Sequence, residues 1–264
     1  MILISSSQNP AVKEIKSLKS RRDREEKGLF YVEGLRIVEE ALEENADIVE
    51  VAVTEEFAAD ARNAGILGKI EVLRIKTYLF AQKLFKEITD TETPQGILAV
   101  MRIRRHELES ELDRNGLYVI MDSIRDPGNM GTIIRTADAA GFSGVILSKG
   151  CVDVYNPKVL RSTMGSVFHM PVYHAGDMPE TIKILKSNGI NILVSHLDGK
   201  ASLFEADLRS GAAIVVGSEA EGVSDQLKAL ADLLVKIPMP GRAESLNASV
   251  AAGIMIYEAV RQRM

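Results

Sequence analysis

DPGNMGTIIRTADAAGF, residues 126–142, opens on an Asp-Pro-Gly-Asn turn and passes into a helical pattern that carries Arg135 and, three residues on, Asp138. LYVIM (117–121) leads in and GVILS (144–148) leads out. Both flanking runs are continuously apolar, as strands covered on both faces are. The stretch therefore reads as a strand–turn–helix–strand unit of a parallel α/β sheet. Working toward the C-terminus, apolar runs at 190–195, 212–217 and 233–237 predict further strands. Helices are expected over 129–140, 157–166, 179–187, 224–231 and 245–261, which makes a doubly wound α/β domain.

Toward the N-terminus the pattern also alternates. Asn9-Pro10 can start a helix running to about Ser20. LFYVEG reads as a strand, LRIVEEALEEN as an amphipathic helix, DIVEVAVT as a strand and EEFAADARNAG as a helix closed by Gly65. EVLRIK is expected to be a strand, YLFAQKLFKEI a helix and GILAVMRI a last strand, giving a small α/β domain with a largely parallel sheet. The charged run RIRRHELESELDRNG separates the two patterns, so the expected organisation is a domain over 1–108, a linker over 109–115 and a second domain over 116–264.

The bulk composition narrows the classes. With 264 residues, 46% of them apolar, the chain can bury a substantial core. No apolar run approaches the roughly 20 residues that span a bilayer, and a signal peptide is not expected in MILISSSQNPAVK, so a cytoplasmic protein is expected. One cysteine, Cys151, and four scattered histidines offer no zinc-ligand spacing, and no metal is expected. No partner base lies near Cys151 in sequence, so it reads as a small buried thiol rather than a nucleophile.

Net charge is −5, yet residues 13–27, KEIKSLKSRRDREEK, hold seven basic and four acidic side chains. This is either a solvated helix face or a phosphate-contacting patch. Lys13, Lys16, Arg21, Arg22 and Arg36 are the candidate phosphate contacts, since such contacts need only positive charge in reach. With no tryptophan, six tyrosines and seven phenylalanines, no base-stacking platform is evident. Phe30 and Tyr31 read as core.

Ligands of open α/β sheets bind beyond the carboxyl ends of the strands. Three loops there are rich in small, polar and acidic residues: SIRDPGNMG, GSEAEGVSD and PMPGRAESLNAS. None is a GxGxxG fingerprint or a GxxxxGK[ST] loop, which excludes an ordinary dinucleotide-dependent dehydrogenase or phosphate-loop enzyme. Each loop alone could be a plain turn.

In order and spacing, DPGNMGTIIRTADAAGF, IVVGSEAEGVS and IPMPGRAESLNASVAAGIMIYEAVRQR resemble the three motifs of the SpoU/TrmH branch of the SPOUT RNA methyltransferases. ISSSQNPAVKEIKSL, RDREEKGLFYVEGLRIVEEAL and TETPQGILAV are similar to the substrate-binding domain of its ribosomal RNA members. The resemblance implies transfer of methyl from S-adenosylmethionine to a ribose 2′-oxygen of RNA, most simply large-subunit ribosomal RNA. Alternatives are a transfer RNA methyltransferase or a non-catalytic RNA-binding assembly factor. It further implies a deep trefoil knot, one of the exceptions to unknotted folds, and a homodimer with the last helix at the interface. Val250, Ile254, Ile256 and Tyr257 form the expected apolar side of that helix.

By the same resemblance the catalytic residues are Arg135, Asn129, Glu219, Ser245 and Asn247. Gly217, Ser218, Ile237, Pro238, Met239 and Leu246 line the cofactor site. Arg135 matches an arginine that, in the family, has been assigned a part in deprotonating the hydroxyl. A guanidinium stays protonated in proteins, so a fork on an RNA phosphate is the sounder role; an ion pair with Asp138 is the structural alternative. Asn129 and the Ser245/Asn247 pair could equally be helix caps.

Overall fold

The structure, a computed structural model, describes every residue except Asp198, Glu219 and Ala220. The chain divides into two compact units, Met1–Arg104 with Tyr155–Phe168, and Arg105–Val154 with His169–Met264.

The first unit runs β1 (Ile2–Ile4), α1 (Pro10–Ser17), α2 (Arg21–Lys27), β2 (Leu29–Glu33), α3 (Leu35–Glu43), β3 (Ile48–Thr54), α4 (Glu55–Ala59), α5 (Ala64–Val72), β4 (Lys76–Phe80), α6 (Gln82–Ile88) and β5 (Ile97–Arg102). Its five-stranded sheet has the order β1-β4-β3-β5-β2. Asn9 caps α1 as expected, its side chain accepting from the Ala11 amide at 2.9 Å with Pro10 at the first helical position. The strands are two-sided. Tyr31, Ala52, Tyr78, Phe80, Leu98 and Val100 pack with α1 and α6, while Phe30, Val32, Val51, Val53, Ile97 and Ala99 pack with α3 and α5. The period-two alternation of Cβ directions sorts these runs onto opposite faces.

Three expectations are corrected here. The sheet is mixed, because β5 is antiparallel to both β3 and β2; a two-sided apolar run encodes burial but not strand direction. EVLRIK is not a strand: Glu71 and Val72 end α5, and the strand is the adjacent KTYLF of β4. Gly65 lies inside α5 rather than closing a helix, since α4 ends at Ala59 and a 3₁₀ turn (Ala61–Asn63) precedes α5.

The second unit runs α7 (Leu108–Glu111), β6 (Leu117–Asp122), α8 (Pro127–Ala139), β7 (Gly144–Leu147), then α9 (Pro157–Thr163) of the first unit, β8 (Val172–His174), α10 (Met178–Ser187), β9 (Asn191–Ser195), β10 (Ala201–Ser202), β11 (Ala212–Gly217), α11 (Asp225–Leu230), β12 (Leu233–Lys236) and α12 (Ala248–Arg263). Its seven strands have the order β10-β12-β9-β11-β6-β7-β8, and every neighbouring pair is parallel. All five expected strands are present. The short strands β8 and β10 were not expected, as two or three residues carry too little pattern.

The 109–115 stretch is not a free linker. Leu108 and Leu112 pack on the second unit's core, His106 Nδ1 lies 2.7 Å from Glu111 Oε2, and the Asp113 amide donates to Tyr118 Oη at 2.8 Å. Residues 155–168 join the first unit because Tyr155, Leu160, Val167 and Phe168 pack into its core, with the Tyr155 and Phe30 ring centroids 4.5 Å apart.

Candidate active site

The quoted motif begins at the carboxyl end of β6. α8 starts at Pro127, two residues before the expected Asn129, and its cap is Asp126, whose carboxylate accepts from the Asn129 amide at 2.7 Å. Asn129 is therefore not the cap. It occupies the third helical position with its side chain buried, and its Oδ1 accepts from Asn247 Nδ2 at 3.0 Å. Asn247 uses the rest of its amide as the cap of α12, Oδ1 accepting from the Ser249 amide at 2.9 Å and the Val250 amide at 3.3 Å. α12 thus begins at Ala248, and Ser245, exposed, lies outside it.

Arg135 is exposed on α8. The ion pair with Asp138 is not formed; Asp138 Oδ2 instead lies 3.4 Å from His169 Nδ1. Among the described residues Arg135 has no hydrogen-bond or ion-pair partner. Glu219 lies outside the described residues.

The second loop leaves β11 at Gly217. A Cβ there would stand 2.0 Å from the Gly222 carbonyl carbon and 2.3 Å from the Val223 amide nitrogen, so the returning chain passes where any side chain would be. Gly222 holds that return with φ +67°, and its amide donates to the Ser218 carbonyl at 2.8 Å. Ser218 is buried, and its hydroxyl accepts from the Glu221 amide at 3.2 Å. In the third loop Ile237, Met239 and Leu246 are half-buried while Pro238 is exposed. β11 and β12 flank β9, so the second and third loops leave the same end of the sheet on either side of one strand. Small residues and open main chain at two strand ends on the same edge of the sheet suit a flat, polar-edged group such as an adenosine.

Sequence reasoning missed Asp122. This buried last residue of β6 is the register partner of Gly217, and its Oδ2 accepts from the Ser224 amide at 2.9 Å. A lone acidic residue ending an apolar run was the available signal. Cys151 is buried, its Sγ donates to the Met121 carbonyl at 3.2 Å, and burial pushes the thiol up, which fits an inert side chain.

The basic segment of the first unit is only partly available. Arg24 is buried and donates to the Leu18 and Lys19 carbonyls at 2.6 and 3.0 Å, closing the α1–α2 turn. Lys16 pairs with Glu87, Arg21 with Glu25 at 2.7 Å, and Lys19, beyond the end of α1, with Asp90 at 3.1 Å. Lys13, Arg22 and Arg36 are exposed. Phe30 and Tyr31 are core, as expected.

A parallel α/β unit whose three motif loops meet at the strand ends defines an RNA methyltransferase of the SpoU type. The SpoU rRNA methylase family matches residues 116–257, and an MRM3-like substrate-binding domain matches residues 9–99. The chain belongs to the SpoU rRNA methylase family and is an S-adenosylmethionine-dependent RNA methyltransferase. It is 37% identical to the 23S rRNA (guanosine(2553)-2′-O)-methyltransferase RlmP of Bacillus subtilis, covering 96% of this chain and 97% of that protein. It is 32% identical to a 23S rRNA (uridine(2479)-2′-O)-methyltransferase of Streptomyces viridochromogenes, covering 94% and 88%. The AdoMet-bound rRNA methyltransferase of Sinorhizobium meliloti superposes with a TM-score of 0.89 at 32% identity, covering 99% and 98% of the two chains.

Proposed function

We propose that this chain methylates the 2′-oxygen of one ribose in 23S ribosomal RNA, with S-adenosylmethionine as donor. The observation that carries the reading is the Asn129–Asn247 hydrogen bond, which joins the first motif to the third; Arg135, further along the same helix as Asn129, has no partner among the described residues. The ribosomal substrate is supported by coverage. The relatives named for 23S rRNA align with nearly the whole chain, whereas a solved structure titled for 2′-OH methylation of C/U34 on tRNA covers 57% of it at a TM-score of 0.52. The first unit, which the MRM3-like substrate-binding domain matches over residues 9–99, is assigned the RNA, with Lys13, Lys16, Arg21, Arg22 and Arg36 on phosphates. Exposed ion pairs such as Lys16–Glu87 are weak enough to be exchanged for a phosphate.

S-adenosylmethionine supplies a methyl group already activated on a sulfonium. The main chain at Gly217, Ile237 and Leu246 would hold the adenosine, with Ser218, Pro238 and Met239 lining it. Asn129 and Asn247, each fixing the other's amide orientation, orient the ribose. Arg135 would hold an adjacent phosphate, and its positive charge would favour ionisation of the 2′-hydroxyl; the 2′-oxygen then takes the methyl directly, the new O–C bond forming as the methyl–sulfur bond breaks to leave the neutral thioether, with the hydroxyl proton passing to solvent and no covalent enzyme intermediate. Glu219 and Ser245 complete the assigned set.

The reading includes three features of the fold. The C-terminal part of the second unit forms a trefoil knot, a reading supported by β12 pairing outside β9 while α12 returns to pack on α8 and β11. A second copy covers α12, where Val250 and Tyr257, on the apolar side expected at the interface, are 50% and 53% exposed; Ile256 of the same side is fully buried within this chain. The enzyme works in the cytoplasm, where ribosomal RNA is; no helix among the described residues is long and apolar enough to cross a membrane.

Mass-spectrometric mapping of ribose methylation in cells lacking the gene tests the reading. One missing 23S mark, restored by the wild-type chain and not by Arg135→Ala, is expected. A missing transfer RNA mark would overturn the substrate, and no missing mark would overturn the reaction.

A further inference from the structure

Asp122 is a carboxylate in a place where a strand of the sequence LYVIM would otherwise end in an apolar side chain. It is 7% exposed. Burying a carboxylate is costly unless its oxygens are hydrogen-bonded, and both are used. Oδ2 accepts from the Ser224 amide at 2.9 Å across 102 residues of sequence, and Oδ1 from the Ser123 hydroxyl at 3.4 Å. Ser224 stands at the cap position before α11 and its side chain makes no capping hydrogen bond, so Asp122 secures the end of the loop that starts at Gly217.

The other side of Asp122 is equally constrained. Ser123 has φ +57°, a region in which a residue other than glycine is strained. Its amide donates to Ser148 Oγ at 2.9 Å. A Cβ at Gly150 would meet Ser123 Oγ at 2.4 Å and Ser123 Cα at 3.3 Å, so the segment after β7 passes close over this turn. Three residues later Asp126 caps α8, which carries Asn129 and Arg135. Strain held by surrounding contacts at the root of a catalytic helix is a mark of a functional constraint rather than of a chance loop.

We propose that Asp122 is a positioning residue for methyl transfer: its buried carboxylate clasps the loop after β11 to the turn that launches α8. It thereby sets the distance from the donor's methyl to the ribose handled by Asn129 and Arg135. The inference rests on the assignment of those two loops to cofactor and ribose. Asp122 touches neither reactant. Each half-site remains able to bind without the clasp, and what is lost is their mutual placement.

Four proteins test it: wild type, Asp122→Ala, Asp122→Asn and Ser224→Pro. Asparagine keeps an oxygen for the Ser224 amide. Proline deletes that amide at a residue whose φ of −59° already suits it, and leaves Asp122 intact. The measurements are S-adenosylmethionine affinity by calorimetry, single-turnover methyl transfer at saturating cofactor on ribosomal RNA from cells lacking the gene, and amide hydrogen exchange over residues 218–224. In Asp122→Ala and Ser224→Pro transfer is expected to fall about 100-fold, the scale of a misplacement of roughly 1 Å. Cofactor affinity should stay within about threefold, because the interaction lost acts in the transition state. Asp122→Asn should recover most of the rate. Loss of affinity in step with rate, or a Ser224→Pro enzyme as fast as wild type, overturns the proposal. Should Asp122→Ala not fold, Ser224→Pro decides. Hydrogen exchange reads the clasp without reference to the reaction: exchange as slow in Asp122→Ala and Ser224→Pro as in wild type refutes it even if transfer falls. A wild-type chain that binds cofactor yet methylates no RNA refutes the assigned reaction instead.

Discussion

Asn247 Nδ2 donates to Asn129 Oδ1 at 3.0 Å, so the first turns of two helices 118 residues apart share one hydrogen bond. The bond joins the cap residue of α12 to the third helical residue of α8, and it can be separated experimentally from helix stability.

Asn247→Asp keeps the oxygen that caps α12 but removes the donor to Asn129. Its melting temperature should match wild type while methyl transfer falls at least about tenfold, in line with loss of one orienting hydrogen bond. Asn247→Ala loses the cap as well and should be destabilised by about 1 kcal/mol. Thermal melts and labelled-methyl incorporation separate the two effects; equal activity in Asn247→Asp and wild type would remove Asn247 from the catalytic set.

Arg135 is exposed and makes no contact among the described residues that folding would miss. Arg135→Ala and Arg135→Lys should therefore melt as wild type does. Transfer should fall at least about 100-fold in the alanine variant, as when other electrostatic stabilisers are deleted. Lysine should recover little, since a point charge does not reproduce a planar fork. Full rescue by lysine would count against the phosphate fork.

Gly217→Ala places a methyl group 2.0 Å from the Gly222 carbonyl carbon, and backbone must move to admit it. We expect destabilisation of about 1–3 kcal/mol together with weaker S-adenosylmethionine binding by calorimetry. Stability lost with affinity intact would show that the Gly217 backbone does not face the cofactor.

Glu50 on β3 is 4% exposed, and burial raises its carboxyl above the ordinary range, with Lys76 Nζ at 3.5 Å only partly opposing. The fold thus favours the protonated form. Its contribution to stability is fully present below the unfolded carboxyl value and is lost as pH rises through the raised folded value. Glu50→Gln should be more stable than wild type in urea melts near neutral pH, and the gap should close toward about pH 4, where both forms of the chain carry a neutral group.

Lys13 and Arg22 are exposed on the basic segment. If both meet phosphate, replacing them with alanine should lower the slope of log affinity against log salt by about 1.5 in total. An unchanged slope would place the RNA elsewhere on the first unit.

Much of this was readable along the chain. The five long strands of the second unit are continuous apolar runs, and the start of α1 is announced by Asn9-Pro10, because burial on both faces and capping are local demands. Misreadings fell where local signals are ambiguous. Glu71 and Val72 read as strand although α5 carries them, since a short apolar run has no decisive period. For Asn129 the sequence allows a cap as one alternative, but Asp126, three residues earlier, takes that place because Pro127 fits the first helical turn.

Sequence by itself determined the alternation of elements, the three motif loops and hence the family, because residue type, period and spacing are properties of the chain alone. Tertiary structure decided the direction of β5, the membership of residues 155–168, and the partners of Asn129 and Asp122. The physical reason lies in the buried polar groups. Each must find a partner, but a linear pattern shows only that one is needed, and in these two pairs it comes from 118 and 102 residues away.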